Sequence, residues 1–143
     1  MRLVPRLLAA LSAVVGFTGA AVAGDQSDGV YELRVYTAAK GKLDALHARF
    51  RDHTLKLFEK HGMTNVGYWT PVKGQRGKND DTLIYLLAHK SEDAAKASWA
   101  AFRADPDWVA ARRGSEEKAG GSLTVPDGVK SEFLKPTDYS PLK

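Results

Sequence analysis

The forty residues from Val30 to Trp69 constrain the fold of this chain most strongly, because a strand pattern is followed at once by one long helix pattern. The strand pattern alternates an apolar side with a mixed side, which is the period of a half-buried strand: Tyr31, Leu33 and Val35 against Glu32, Arg34 and Tyr36. Gly41 opens the helix region and Gly62 closes it, since glycine is common just beyond a helix C-terminus. A strand followed by one helix is therefore predicted.

The rest of the chain is also predicted to consist of strands and helices, from other local sequence patterns. A second strand is predicted from Met63 to Val72, then a polar loop, KGQRGKNDD, and a strand from Thr82 to His89. Ser91 is typical of a helix cap, and Asp105-Pro106 starts another helix. The last strand, Leu123 to Leu134, is expected to be interrupted by the turn signal Pro126-Asp127-Gly128.

This order predicts an α+β, ferredoxin-like βαββαβ fold, in which a four-stranded antiparallel sheet carries helices on one face only. The strand from Thr82 to His89 is apolar on both alternating sides, which indicates that both faces of the sheet are covered. Two sheets packed face to face would form a dimeric α/β barrel. We therefore expect a homodimer, with Glu32, Arg34 and Tyr36 pointing into that barrel.

Residues 1–23 have the pattern of a secretory signal peptide: a basic start, an apolar run and Ala21-Val22-Ala23 before Gly24. The alternative is an uncleaved anchor, but Ser12 and Gly16 break a run already shorter than the roughly twenty residues of a membrane span. We expect a periplasmic or secreted protein without a membrane span after cleavage. Residues 24–29 are then a flexible lead-in and residues 30–143 one domain.

Composition excludes several classes of function. The chain has no cysteine, so thiol chemistry and disulfides are excluded. It has 21 Lys and Arg against 17 Asp and Glu; without Arg2 and Arg6 the count is 19 against 17, and the charges are interspersed. Nucleic-acid binding needs a concentrated basic face, so no nucleic-acid partner is expected.

The helix after Gly41 has a predicted buried stripe on an uninterrupted helical wheel: Leu43, His47, Phe50, Thr54, Leu57 and His61, flanked by Leu46 and Phe58. Two polar side chains, His47 and Thr54, therefore face the sheet. They are either ordinary core groups, a histidine bonded to the sheet and a threonine bonded to its own helix, or the polar lining of a ligand cavity. Arg49 is predicted to lie on the wet flank of this helix.

His47 and His53 are the candidate catalytic residues, since a histidine can act as a general base near neutral pH. On one helix their side chains point about 120° apart, and no HExxH motif is present, so no metal site is expected. No serine stands in a nucleophile-elbow context, and no phosphate-binding loop precedes a helix, so neither nucleophilic catalysis nor a bound cofactor is predicted. The candidate ligand-binding residues are His47, Thr54, Tyr31, Tyr36, Tyr68, Trp69 and Tyr85.

Six segments closely resemble the NIPSNAP family in order and spacing: YELRVYT, FRDHTLKLFEKHGM, GYWTPV, LIYLLAH, FRADPDW and KPTDYSPL. The resemblance runs from about Val30 to Leu142 and implies the dimeric α/β barrel superfamily. Within that superfamily are cofactor-independent monooxygenases that act on aromatic polyketides and haem-degrading enzymes, but a shared fold does not fix a function. The export leader departs from the organelle-targeted members of the family.

Two functions remain open from the sequence. The protein either binds, or acts without a cofactor on, a small apolar or aromatic molecule between the first helix and the sheet. Alternatively it is a non-catalytic, dimeric protein-interaction module that presents the KGQRGKN hairpin and the PTDYSPL tail. A binder needs an enclosed volume of about 300 Å³ or more. We expect His47→Ala to abolish ligand binding in the first case and only to lower stability in the second.

Overall fold

A computed structural model describes residues 29–73 and 81–143 of the chain. The predicted signal peptide, residues 24–28 of the lead-in and the hairpin tip at residues 74–80 lie outside the described residues. In the described part of the chain, no helix has the length and apolar character needed to cross a membrane.

The four strands form one antiparallel sheet in the spatial order β2-β3-β1-β4, which confirms the ferredoxin-like prediction. The strands are β1 (Val30–Ala38), β2 (Thr64–Trp69), β3 (Thr82–His89) and β4 (Thr124–Leu134). The consecutive strands β2 and β3 pair antiparallel, and the two central strands, β1 and β3, form the longest pairing in the sheet.

Three helices accompany the sheet: α1 (residues 43–60), α2 (Glu92–Ala104) and α3 (Pro106–Lys118). The predicted caps are present. Ser91 Oγ accepts a hydrogen bond from the Ala94 N–H, and Asp105 caps α3, with Pro106 in its first turn. Gly62 ends α1 with a φ of 77°, a left-handed conformation that favours glycine.

The face of the sheet toward the helices forms the core. Leu83, Tyr85 and Leu87 of β3 are buried there. Aromatic rings from α1 and α2 pack on them, with the Phe58 ring centroid 6.0 Å from that of Tyr85. Because aromatic rings from both helices pack on β3, α1 and α2 lie on the same side of the sheet.

The opposite face of the sheet, the open face, carries partly buried apolar side chains: Leu33, Val35, Ile84, Leu86 and Ala88. The prediction that Glu32, Arg34 and Tyr36 would point to this side is wrong. They pair across the sheet with the core residues of β3 and therefore face the helices. The apolar residues of β1 occupy the open face, because the mixed side finds polar partners beneath the helices.

Strand β4 extends from Thr124 to Leu134, and its pairing with β1 is interrupted by a bulge at the predicted turn signal, Pro126-Asp127-Gly128. Tyr36 pairs with Val129 and Ala38 pairs with Thr124, so the residues between Thr124 and Val129 loop out of register. Asp127 has a φ of 54°. A Cβ atom at Gly128 would lie 2.9 Å from the Thr37 carbonyl oxygen, so the close approach of β1 requires glycine here.

We expect Gly128→Ala to lower the free energy of unfolding by about 1–3 kcal/mol, because backbone atoms of both strands must move. Gly114, within α3, is the matched control, since a Cβ atom at this position would meet no neighbouring atom within 4 Å. Gly114→Ala should raise stability by about 0.5–1 kcal/mol through helix propensity alone. Urea denaturation of both variants checks the pair. Equal effects of the two substitutions would contradict the proposed packing of the bulge.

Candidate ligand cavity

Helix α1 contains a π-helical segment in its middle. The chain is α-helical over Leu43–Arg49, π-helical over Phe50–Thr54 and α-helical again over Leu55–Lys60. The Thr54 hydroxyl donates a hydrogen bond of 3.2 Å to the Arg49 carbonyl, five residues earlier, and so satisfies part of the widened turn. Single π turns of this kind are frequent at functional sites.

The π segment shifts the buried face of the helix. Leu46, Arg49 and Phe50 are buried on its N-terminal side, whereas Thr54 and Leu57 are buried on its C-terminal side. The prediction that Arg49 lies on the wet flank is therefore wrong: its side chain is only 6% exposed. A wheel with one constant angle per residue cannot show this change of phase, because the π turn adds a residue.

Beneath the shifted face lies a cavity of about 210 Å³, bounded by α1, α3, the end of α2 and the sheet. Aromatic and aliphatic side chains form most of its wall: Phe50, Phe58, Phe102, Trp108 and Val129. The polar part of the wall consists of Tyr36, Arg49, Thr54, Arg112, Glu116 and Thr124. The cavity is smaller than the volume of about 300 Å³ set above as the need of a binder, because the aromatic cluster fills much of the space between helices and sheet, so volume alone favours the interaction module.

Arg49 is the one strongly polar group deep in this wall whose donors are not used. Within the described residues, its Nε and Nη1 atoms are buried and have no hydrogen-bond partner. Glu116 Oε1 lies 3.7 Å from Nη1, which compensates charge but is too long for a hydrogen bond. The guanidinium carbon lies 5.2 Å from the centre of the Trp108 ring. Burial lowers the pKa of Arg49, and the nearby Glu116 carboxylate opposes that shift.

Tyr36 connects the cavity to a polar chain within the sheet. Its hydroxyl accepts hydrogen bonds from Arg34 Nη2 at 3.3 Å and from the Tyr85 hydroxyl at 3.1 Å. Burial raises the pKa of Tyr85, so this phenol stays protonated and donates. Because the Tyr36 hydroxyl accepts both of these bonds, its own proton is not used by either partner.

Glu32 lies at the other end of this series of hydrogen bonds, beyond Arg34. Its carboxylate is buried and accepts hydrogen bonds from Arg34 Nη1 and Ser131 Oγ at 2.6 Å and from Trp99 Nε1 at 2.7 Å. His89 Nε2 lies 2.9 Å from Oε2 of the same carboxylate. Burial alone would raise the pKa of Glu32, but the bonds from His89, Ser131, Trp99 and Arg34 outweigh it and lower the pKa to about 2. The group is therefore an ionised structural centre.

The predicted site residues fall in three places. Tyr36 and Thr54 line the cavity of about 210 Å³ beneath α1. His47, Tyr68 and Trp69 line a separate, more open cleft of about 420 Å³ at the β2 edge. Tyr85 is fully buried between the two, with its ring centroid 5.3 Å from Tyr68 and 5.4 Å from Tyr36.

Tyr31 and His53 lie apart from both spaces. Tyr31 shares the open-face side of β1, and its hydroxyl donates to the Lys143 carbonyl at 2.8 Å. His53 is exposed on α1, in an open groove of about 920 Å³ between α1 and α3, which Arg49 also lines. Because the π segment turns Arg49 inward, His53 is turned outward, and neither candidate catalytic histidine borders the enclosed cavity. In the part of the chain that the structure describes, no three metal-ligating side chains converge.

Sequence reasoning missed Arg49, although a signal was present. Leu46 and Phe58 are both fully buried, yet an uninterrupted α-helix would place them about 120° apart. Two large apolar residues so far apart on one wheel indicate either a wide buried face or a change of helical phase. The second explanation is correct here, since His53 is exposed although the wheel places it between Arg49 and Leu46, which are both buried.

The fold is shared with solved structures. A NIPSNAP family protein from Agrobacterium tumefaciens is 23% identical, with a TM-score of 0.64 over 82% of this chain and 96% of that one. A NIPSNAP-like domain protein from Burkholderia xenovorans is 16% identical, with a TM-score of 0.65 over 80% of this chain and 90% of that one. SnoaB, a cofactor-independent oxygenase from Streptomyces nogalater, is 12% identical, with a TM-score of 0.51 over 80% of this chain and 98% of that one.

No curated protein matches the chain in sequence. The NIPSNAP family profile, in contrast, matches residues 31–141, which include every strand and helix except the first residue of β1. The similar structures named NIPSNAP share the same sheet and helices over four fifths of the chain or more. The chain therefore belongs to the NIPSNAP family.

Proposed function

We propose that this protein is an exported, homodimeric binder of a small apolar or aromatic molecule, and that the ligand occupies the cavity between α1 and the sheet. The observation that carries the proposal is the cavity itself: an aromatic wall with a few inward polar groups, held by a π turn. Mostly apolar walls with a small number of placed polar groups are typical of small-molecule sites.

The size of the cavity limits the ligand. An apolar cavity of about 150 Å³ in another protein holds one benzene molecule. The space here, about 210 Å³, therefore fits a single ring with a small substituent and not a polycyclic molecule. Aromatic polyketides, the substrates of some monooxygenases in the superfamily, are accordingly too large for this cavity.

Binding rather than catalysis is proposed, because the side chains that border the cavity include no histidine. Tyr36 and Thr54 supply hydroxyls, and Arg49 supplies positive charge, all of which suit recognition. SnoaB is an oxygenase that works without a cofactor, but at 12% identity its likeness extends to the fold alone.

Native mass spectrometry of the protein purified from its exported compartment, without added ligand, tests the proposal. We expect extra mass on the wild-type protein that is lost on denaturation. In the variant Val129→Trp, the indole enters the cavity from its rim and should remove that mass while the fold is kept. A wild-type protein without bound mass, together with no binding of single-ring compounds in titration, would overturn the proposal and favour the interaction module.

The homodimer rests on the open face. Its apolar side chains are only partly buried within one chain, and Trp69 is 53% exposed at its edge, packed over Gly67. A contiguous apolar sheet face of this kind is typical of an interface. A second copy of the same face is the simplest cover, because a two-fold axis brings identical patches together.

A further inference from the structure

We infer that the ligand of the cavity carries a carboxylate, which Arg49 holds, so that the ligand class is a single-ring or similarly small apolar carboxylic acid. This inference rests on the proposed function and names its ligand chemistry. It starts from an imbalance in the wall, where a guanidinium is buried without the hydrogen bonds that such a group requires.

Burial of Arg49 is nearly complete, with 6% of the side chain exposed. A buried cation without hydrogen bonds is strongly unfavourable, and most native proteins avoid it. Thr54 does not satisfy it: its hydroxyl donates to the Arg49 carbonyl, and among the described residues the Nε and Nη1 atoms of Arg49 have no acceptor, the Thr54 oxygen included. Two of the three guanidinium nitrogens thus have unused donors among the described residues, and the side chain that carries them borders the cavity.

The charges that face the cavity favour one negative charge. Arg49 and Arg112 are positive and Glu116 is negative, so the wall has a net charge of +1. Arg112 Nε is bonded to Glu116 Oε1 at 3.2 Å and is mostly exposed, which leaves Arg49 as the buried cation in need of a partner. A monoanionic carboxylate brings the charge of the wall and ligand to zero, whereas a dianion such as a phosphate monoester would leave a net charge of −1.

The position of Arg49 beside the aromatic side chains of the wall also suits an aromatic carboxylate. Trp108 lies beneath the guanidinium of Arg49, and the rings of Phe50 and Phe102 line the same space. A flat apolar ring can pack among these side chains while its carboxylate reaches Arg49 and the Tyr36 hydroxyl, whose proton is not used by its two partners. Charge-assisted hydrogen bonds of this kind are the strong ones in proteins.

The inference is tested by titrating the protein with benzoate and with its neutral isostere, benzamide, and monitoring binding by nuclear magnetic resonance. The protein is first unfolded and refolded, so that any ligand it already carries is removed. Wild type should bind benzoate about tenfold or more tightly than benzamide, which is the effect of a hydrogen bond to a charged group. Arg49→Met fills a similar volume without charge and should bring the two affinities within about twofold of each other. Arg113→Met removes an exposed arginine, 76% exposed, and should leave the preference intact.

A second variant in the same titration should bind benzoate more tightly than wild type does. Glu116→Gln removes the carboxylate that lies 3.7 Å from Arg49 and should raise benzoate affinity about threefold without changing benzamide affinity, an increase that a damaged fold would not produce. Equal binding of both probes to wild type, or a preference that survives in Arg49→Met, overturns the carboxylate inference and leaves the cavity proposal standing. Binding of neither probe to wild type, together with no bound mass in the native mass spectrum, overturns both.

Discussion

Replacing Glu32 with alanine should lower the free energy of unfolding by about 3–5 kcal/mol, the usual effect of removing one partner of a buried ionic network. The carboxylate is 2% exposed and receives bonds from four side chains on β1, β3, α2 and β4. Without it, Arg34 keeps a buried charge with no counter-ion. Urea unfolding at pH 7 and fixed protein concentration measures the change.

The same carboxylate makes stability depend on pH in a defined window. The pKa of Glu32 in the folded protein is about 2, below its ordinary value of 4.5. A lowered folded pKa means that the stabilisation is complete above about pH 4.5 and is lost as the pH falls toward 2. On the order of 3 kcal/mol is involved, and wild type should lose it between these values.

Glu32→Gln separates charge from shape. The amide cannot titrate, so the stability difference between wild type and this variant should shrink as the pH falls from 4.5 toward 2. Glu117→Gln is the control, because Glu117 is 70% exposed in a surface pair and should change stability by less than about 0.5 kcal/mol. A constant difference across the acid range would show that Glu32 is not ionised in the folded protein.

Replacing Leu86 with arginine should convert the proposed dimer into a monomer. Leu86 lies at the centre of the open face, paired with Leu33 on one side and Gly67 on the other. In a face-to-face dimer the new charge would be buried without a partner, at a cost of several kcal/mol. In the monomer it is in water, so the fold should be retained, as circular dichroism will show.

Analytical ultracentrifugation at micromolar concentration gives the oligomeric state. Wild type should sediment as a dimer and Leu86→Arg as a monomer. Ala100→Arg adds the same charge at an exposed position of α2 and should remain dimeric. A monomeric wild type would exclude the dimer, and a dimeric Leu86→Arg would move the interface to another surface.

The sequence predicts the path of the chain well, because the signals involved are local. Gly62, Ser91 and the Asp105-Pro106 pair act within one turn of their own helix, and the structure has a helix boundary at each. The two-sided apolar character of β3 likewise places it in the interior of the sheet. Such local rules do not depend on what the rest of the chain does.

The site is harder to predict because it depends on distant partners. Glu32 is turned toward the helices by bonds to Trp99 and Ser131, which are 67 and 99 residues away. Arg49 is turned inward by a π turn, which no constant angular period reveals. Alternation assigns residues to two faces of a strand but does not say which face meets the helices, so the predicted orientation of β1 is wrong.

A crystal structure of residues 24–143 with benzoate tests most directly whether the π turn of α1 points Arg49 into a ligand cavity. We predict electron density for a planar ring between Phe50 and Trp108, with its carboxylate at hydrogen-bond distance from Arg49. The account is contradicted if Arg49 points into solvent, or if neighbouring side chains fill the cavity and leave no space for a ligand.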